Sequence, residues 1–234
     1  MHKQNLSSNK QSFSSNKQSL SSNKQSFSSN KQSFSSNKQS FSSNKLVCIT
    51  GLTGSGKSVA SDYFVKKGFQ FLRFGQITLD EVKRRGLEPT ESVERPIREE
   101  FRKKHGMAAF AILNLPKIEE LLKKGDTLGD GLYSFEEYKV FKEKFRKNFI
   151  TIAVYAPPEL RYKRLSGRKL KVDDKDLRNR PATRDEAETR DYSEIENLNK
   201  GGTIAMADYT IVNTKDIEYF NSQLEEIYEE IINS

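Results

Sequence analysis

Eight consecutive residues carry the clearest chemical signal in the chain. They are Gly51-Leu52-Thr53-Gly54-Ser55-Gly56-Lys57-Ser58, with the spacing G-x-x-x-x-G-K-[ST]. Glycines lack a Cβ, so the backbone can fold around an anion with successive N–H groups pointing inward. The lysine offers an ammonium group to the β- and γ-phosphates of a nucleotide, and the serine hydroxyl is a ligand for Mg²⁺. The octet, hereafter the phosphate loop, predicts binding of ATP with Mg²⁺.

The residues on both sides of the phosphate loop have the pattern that such a loop requires. Leu46–Thr50 is a short apolar run typical of a buried strand, and Val59, Phe64 and Val65 follow with helical spacing. A helix that begins at the loop would bring the positive end of its dipole to a bound phosphate. A glycine-rich turn with a purely structural role is the alternative interpretation.

Short apolar runs recur along the chain, separated by charged stretches of helical spacing. The runs are Phe69–Phe74, Phe149–Ala156 and Tyr209–Val212, and a further strand is expected to end near Asp126–Gly131. Helical spacing is present at Glu136–Phe145, Pro158–Leu165 and in the apolar positions from Ile217 to Ile231. This alternation predicts an α/β fold, a three-layer parallel sheet with helices on both faces.

Further candidate site residues lie after the predicted third strand and after the predicted fourth strand. Asp130 could hold the hydration shell of Mg²⁺ beside Ser58, although an aspartate before a glycine is also common in turns. Seven arginines follow Ala156, namely Arg161, Arg164, Arg168, Arg178, Arg180, Arg184 and Arg190. The segment 166–190 is polar and contains a proline, which predicts a mobile lid that closes cations over phosphate. A solvated charged surface is the alternative, since acidic residues are interspersed.

Charge and composition divide the chain into two parts. Residues 7–45 repeat the unit S-S-N-K-Q-S-F, and this low-complexity tail, residues 1–45, is predicted to be disordered. The tail holds seven lysines and no acidic residue. The whole chain has 40 basic and 32 acidic residues, so residues 46–234 have 33 basic and 32 acidic residues. A nearly neutral domain argues against nucleic acid as a partner.

The remaining composition points to a cytoplasmic protein. The single cysteine, Cys48, cannot form an internal disulfide and is expected to be a buried core residue. No apolar stretch is long enough for a membrane span, and the N-terminus has no apolar signal segment. His105 is interpreted as a residue at the end of a helix. The oligomeric state stays open.

Residues 46–234 resemble the P-loop nucleotide-kinase superfamily and, within it, the dephospho-CoA-kinase-like proteins, including an archaeal branch described as adenylate-kinase-related. The resemblance rests on the stretches ITGLTGSGKSVA, FGQITLDEVKRRGLEPT, GDGLYSFEEYKVFKEKF, APPELRYKRLSGR and ADYTIVN. The chain departs from the common pattern in having Gly75-Gln76 where Gly-Asp is usual. Asp126 and Gly129 also interrupt a third strand that is usually apolar.

The resemblance implies roles for residues outside the phosphate loop. Arg84 or Arg85 would lie near the phosphate of the acceptor, Arg164 and Arg168 near the transferring phosphoryl group, and Asn213 near the adenine. Asp130 would be the Walker B acid. Together with Lys57, these residues predict an ATP-dependent kinase whose acceptor is dephospho-CoA or a similar small nucleotide. A nucleoside monophosphate kinase and a non-catalytic ATP-binding module are the alternatives.

Overall fold

The computed structural model describes residues 43–169 and 181–234. The predicted disordered tail up to residue 42, and residues 170–180 of the predicted lid, including Arg178 and Arg180, lie outside the described residues. The fold itself begins within the predicted tail. Asn44 Nδ2 donates to Leu122 O at 2.8 Å, and Lys45 N donates to Asp126 Oδ1 at 2.7 Å.

A parallel sheet forms the centre of the described part of the chain. Its five strands are β1 (Leu46–Thr50), β2 (Gln70–Arg73), β3 (Thr127–Asp130), β4 (Phe149–Tyr155) and β5 (Tyr209–Val212). Their order across the sheet is β2-β3-β1-β4-β5, and every adjacent pair runs parallel. The predicted parallel α/β fold is confirmed.

Helices connect the strands and cover both faces of the sheet. The α-helices are α1 (Lys57–Lys66), α2 (Gln76–Arg84), α3 (Glu91–His105), α4 (Ala109–Leu122), α5 (Phe135–Phe145), α6 (Pro158–Ser166), α7 (Arg184–Leu198), α8 (Lys200–Ala205) and α9 (Ile217–Ile232). His105 is the last residue of α3, as predicted, and Gly106 follows with a φ of 75°. Within residues 43–169 and 181–234, none of the helices combines the length and apolar character needed to cross a membrane.

Alternate residues of β1 point to opposite faces of the sheet and build two cores. Val47 and Ile49 pack with Phe64 of α1 and with the apolar side of α9. Leu46 and Cys48 face the other way, into a cluster with residues of α4 and α5. Cys48 is fully buried, as predicted, and burial raises the pKa of its thiol well above the usual range. The result is a helix–sheet–helix arrangement of three layers.

The structure explains why Asp126 and Gly129 interrupt the apolar pattern of the third strand, because each makes a specific contact. Asp126 lies just before β3, where its carboxylate accepts the backbone N–H of Lys45 and so fixes the start of β1. Gly129 is in close contact with the second core: a Cβ there would lie 2.6 Å from Phe74 Cζ and 2.8 Å from Cys48 Sγ. β3 is therefore a fully buried strand despite its polar composition.

Candidate active site

The phosphate loop connects the carboxyl end of β1 to the N-terminus of α1. Its three glycines, Gly51, Gly54 and Gly56, have φ angles of 138°, 82° and 112°, which L-residues with a side chain rarely adopt. Ser55 N donates to Leu52 O at 3.2 Å within the loop. The glycine spacing of the sequence is thus required by the backbone path of the loop.

Asn213, just after β5, lies directly against the phosphate loop. Its Nδ2 donates to Ser55 O at 2.7 Å, and a Cβ on Gly56 would approach that nitrogen to 2.3 Å. Arg164 of α6 donates to both the backbone oxygen and Oδ1 of Asn213 at 3.1 Å. The structure therefore brings two predicted site residues together beside the loop, with Arg164 holding Asn213 in place.

Lys57, the first residue of α1, lies inside a group of charged side chains. Its Nζ donates to Leu52 O at 3.0 Å across the loop. Burial, followed by the positive charge of Lys200, lowers the pKa of the Lys57 ammonium to about 7. Glu194, Asp130 and Arg190 also act on it electrostatically. A cation placed among other cations in a low-dielectric site is suited to a ligand that carries several negative charges.

Asp130 and Ser58 face a common cavity at the carboxyl edge of the sheet. Asp130 ends β3, where it lies in register with Ile49 of β1 and with Arg73 of β2. The cavity is lined by Ser58, Asp130, Arg73, Gly131 and Tyr133. Hydroxyl and carboxylate oxygens are the ligands that Mg²⁺ prefers, so the donor set fits the predicted metal.

Arg73 and Tyr133 are residues of the cavity that sequence reasoning missed. Arg73 is the last residue of β2, and the adjacency of β2 to β3 brings it beside Asp130. Burial raises the pKa of the Tyr133 phenol, and its oxygen would lie 3.1 Å from a Cβ on Gly75. Only the order of the strands places Arg73 at the site, and no local sequence signal encodes that order.

A second group that the sequence did not reveal joins α7 to α8. Glu194 accepts from Arg190 Nε at 3.0 Å and pairs with Lys200 Nζ at 2.6 Å. Burial opposes the ionisation of Glu194, but the charges of Lys200 and Arg190 outweigh it and lower the pKa of this carboxyl to about 2. Lys200 Nζ also lies 5.2 Å from the centre of the Tyr133 ring. These contacts connect α7 to the cavity.

The other predicted site arginines lie in different environments. Arg168 follows α6, where burial and the nearby charge of Arg190 lower the pKa of its guanidinium. Arg84 and Arg85 both pair with Glu81 of α2, at 2.6 and 2.7 Å, and neither lines the cavity that holds Ser58. Their predicted contact with an acceptor phosphate stays a prediction.

Gln76 and the end of the predicted lid both lie in helices. Gln76 begins α2, and its Nε2 donates to Asp80 Oδ1 at 3.0 Å within that helix. Residues 184–190 of the predicted lid are the first two turns of α7, whose N-terminus is closed by a reciprocal capping box between Thr183 and Glu186. The final part of that segment is thus a capped helix, because the T-x-x-E pattern starts one there.

Comparison with known proteins supports the P-loop assignment. A family model described as an AAA domain matches residues 47–199. The UPF0200 protein TK1334 of Thermococcus kodakarensis is 35% identical over 189 residues, covering 80% of this chain and 98% of the relative. A UPF0200 protein of Thermococcus gammatolerans is 34% identical over 189 residues, covering 80% of this chain and 95% of the relative.

Solved structures share the fold at low sequence identity. TT1252 from Thermus thermophilus superposes with a TM-score of 0.56 at 16% identity, covering 80% of this chain and 97% of that structure. Shikimate kinase from Bacteroides thetaiotaomicron gives a TM-score of 0.50 at 16% identity, covering 80% of this chain and 98% of that structure. The chain therefore belongs to the UPF0200 family and contains a matched AAA domain, and it shares its fold with these solved structures.

Proposed function

We propose that this chain is a kinase that transfers the γ-phosphoryl group of ATP to a small, nucleotide-like acceptor, with dephospho-CoA as the first candidate. The observation that carries the proposal is the juxtaposition of the phosphate loop with the cavity lined by Ser58, Asp130, Arg73 and Tyr133. A nucleotide held in the loop would point its terminal phosphate toward that cavity. The fold that this chain shares with a solved shikimate kinase supports the proposal.

Each part of the site has a distinct task in phosphoryl transfer. The amides of the phosphate loop and the ammonium of Lys57 would hold the β- and γ-phosphates. Ser58 and Asp130 would hold Mg²⁺, which when bound neutralises charge on the phosphate oxygens. Arg164 of α6 and Arg168, which follows that helix, would neutralise charge on the transferring phosphoryl group. Phosphoryl transfer depends mainly on such positioning and charge stabilisation.

The chemistry of the acceptor decides what Asp130 must do. A ribose hydroxyl, as in dephospho-CoA, must lose a proton during transfer, and Asp130 is our candidate for the general base. The phosphate of a nucleoside monophosphate is already ionised and needs no base. Arg73 in the cavity favours this second acceptor class as the alternative function, because a guanidinium pairs well with phosphate oxygens.

The proposal is tested by offering the purified full chain MgATP with dephospho-CoA or with a panel of nucleoside monophosphates, and measuring ADP. We expect turnover with one class of acceptor. Asp130→Asn should lower transfer to a hydroxyl by about 100-fold or more, the range of general-base effects, and transfer to a phosphate by less. Equal losses with both classes would contradict the role of Asp130 as a base. ATP binding without ADP formation from any acceptor would instead identify an ATP-binding module.

A further inference from the structure

Arg161 is a buried arginine that the proposed mechanism does not use. It lies on α6 and is 2% exposed. Its Nε donates to Ala156 O at 2.9 Å, and its Nη1 donates to Thr53 O at 3.0 Å. The guanidinium therefore joins the end of β4 to the middle of the phosphate loop. A buried cation of this kind requires an anionic partner.

The partner of Arg161 is Asp191, which belongs to α7. Arg161 Nη1 and Nη2 approach the two carboxylate oxygens of Asp191 at 3.0 and 2.6 Å, a two-point contact that constrains orientation as well as distance. Tyr162 donates its hydroxyl to the same carboxylate at 2.9 Å. Asp191 thus connects α7, through one guanidinium, to the loop that would hold the nucleotide.

The apolar contact between α6 and α7 is too small to determine how α7 is rotated. Tyr162 and Leu165 of α6 pack against Ala187, a side chain of one carbon atom. Packing around so small a residue leaves the rotation of α7 weakly constrained, whereas a buried two-point ion pair fixes it. The direction of the neighbouring side chains of α7 then depends on Asp191.

Arg190 precedes Asp191 in α7 and pairs with a different side chain. It pairs with Glu194, which pairs with Lys200, and Lys200 lies over the ring of Tyr133 in the wall of the cavity. In α7, Asp191 is therefore anchored to the phosphate loop through Arg161, and the preceding residue, Arg190, belongs to the charged group around Lys57.

We propose that Asp191 is a positioning residue, which through Arg161 holds α7 against the phosphate loop so that Arg190 contacts the γ-phosphate of bound ATP. The inference rests on the proposed function, because it assumes a triphosphate in the loop. It assigns to Arg190 a direct phosphate contact, and to Arg161 and Asp191 a role that acts through the placement of Arg190.

The test compares the affinities of the full chain for MgADP and for the magnesium complex of the non-hydrolysable β,γ-imido analogue of ATP, measured by calorimetry. The ratio of the two affinities reports the contact with the γ-phosphate. We expect Arg190→Met and Asp191→Asn each to reduce that ratio about tenfold, the range for one charged hydrogen bond, with the affinity for MgADP changed less than about twofold. The double variant should lose no more than Arg190→Met alone, because both changes remove one contact.

Glu159→Gln is the matched control. Glu159 forms an ion pair with Arg184 that also joins α6 to α7, but on the exposed side of the two helices. This variant should keep the parent ratio of affinities. If Asp191→Asn does not fold, Arg161→Lys replaces it, because lysine keeps the charge but loses the two-point contact.

Three results would overturn the inference. They are equal weakening of both nucleotides by Asp191→Asn, an unchanged ratio in Arg190→Met, and additive losses in the double variant. Parent protein that binds the imido analogue no better than MgADP would also overturn it. Parent protein that binds neither nucleotide would remove the proposed function as well, and so is distinguishable from failure of the inference alone.

Discussion

The charged residues around Lys57 show how single side chains prepare the site for a polyanion. Lys200, Arg190 and Lys57 are cations, and among the residues that the structure describes they share the nearby carboxylates of Glu194 and Asp130. Burial strengthens their mutual repulsion, since the local dielectric constant is lower than that of water. A bound triphosphate would relieve this repulsion, which agrees with the role proposed for the phosphate loop.

Glu137, near the start of α5, is another residue whose pKa is shifted by its surroundings. Its side chain is fully buried, and its Oε2 accepts from the backbone N–H groups of Tyr133 and Ser134 at 2.9 and 3.2 Å. Its Oε1 has no hydrogen-bond partner among the described residues. Burial raises the pKa of this carboxyl to about 7, although its hydrogen bonds and the charges of Arg102 and Lys200 act in the opposite direction.

This pKa predicts a pH dependence of stability. Because the folded-state pKa of Glu137 lies above the unfolded value of 4.5, folding is progressively weakened as the pH rises from about 4.5 to about 7. Glu137→Gln has no proton to lose there. We expect its free energy of unfolding, relative to the parent, to improve by about 1–3 kcal/mol between pH 5 and pH 8, at 1.36 kcal/mol per pKa unit. Urea denaturation at both pH values measures it, and a constant difference would refute the burial argument.

At the scale of secondary-structure elements, β3 shows why polar residues can form a central strand. It lies between β1 and β2, and all four of its residues are buried. Thr127 Oγ1 donates to Gly125 O at 3.1 Å, so its hydroxyl is satisfied locally. Gly129 makes room for the ring of Phe74 beside the sulfur of Cys48. The strand is thus defined by close packing and local hydrogen bonds rather than by apolar character.

Gly129→Ala should therefore destabilise the protein. The added methyl group would meet Phe74 and Cys48 at 2.6 and 2.8 Å, and overpacking of this kind typically costs about 1–3 kcal/mol. Urea denaturation gives the change in the free energy of unfolding. Gly125→Ala is the control, because a Cβ there meets no atom within 4 Å. Similar stability of the two variants would show that β3 tolerates more volume than the packing indicates.

Elements with strong local patterns were predictable from the sequence, whereas contacts between distant elements were not. Glycine spacing and apolar periodicity predict the strand before the phosphate loop, the helix after it and α9. Arg73 reaches the cavity only because β2 lies next to β3, and Lys200 only because α8 turns back toward Tyr133. Neither placement leaves a signal in residues nearby in the chain. Glu194 likewise reads as a surface residue until its two cationic partners are known.

At the scale of the whole molecule, the repeat tail and the domain have different compositions. The chain from residue 46 onward is nearly neutral, while the tail is basic and serine-rich. The domain makes its first contacts with Asn44 and Lys45, close to the junction between the two. Lys45 Nζ also donates to Ser234 O at 2.9 Å, which joins the beginning of the fold to its end.

Two truncations separate the tail from the fold. Deletion of residues 1–42 should leave both ADP formation and the melting temperature unchanged, because it removes none of these contacts. Deletion of residues 1–45 removes all the hydrogen bonds of Asn44 and Lys45, among them those to Leu122, Asp126 and Ser234. It should lower stability by about 3 kcal/mol or more, at about 0.5–1.5 kcal/mol for each bond. Thermal unfolding compares the two. Loss of activity in the shorter deletion would show that the repeats contribute to function.

Calorimetric titration of the full chain with MgATP tests whether the phosphate loop binds the phosphates of ATP, on which the proposed function depends. We predict measurable binding that Lys57→Ala weakens about tenfold or more, as expected for loss of a charged hydrogen bond. Lys66→Ala, which removes an exposed lysine from the last turn of the same helix, should bind like the parent. Absence of binding heat in the parent, or parent-like affinity in Lys57→Ala, would show that the loop does not bind ATP as proposed.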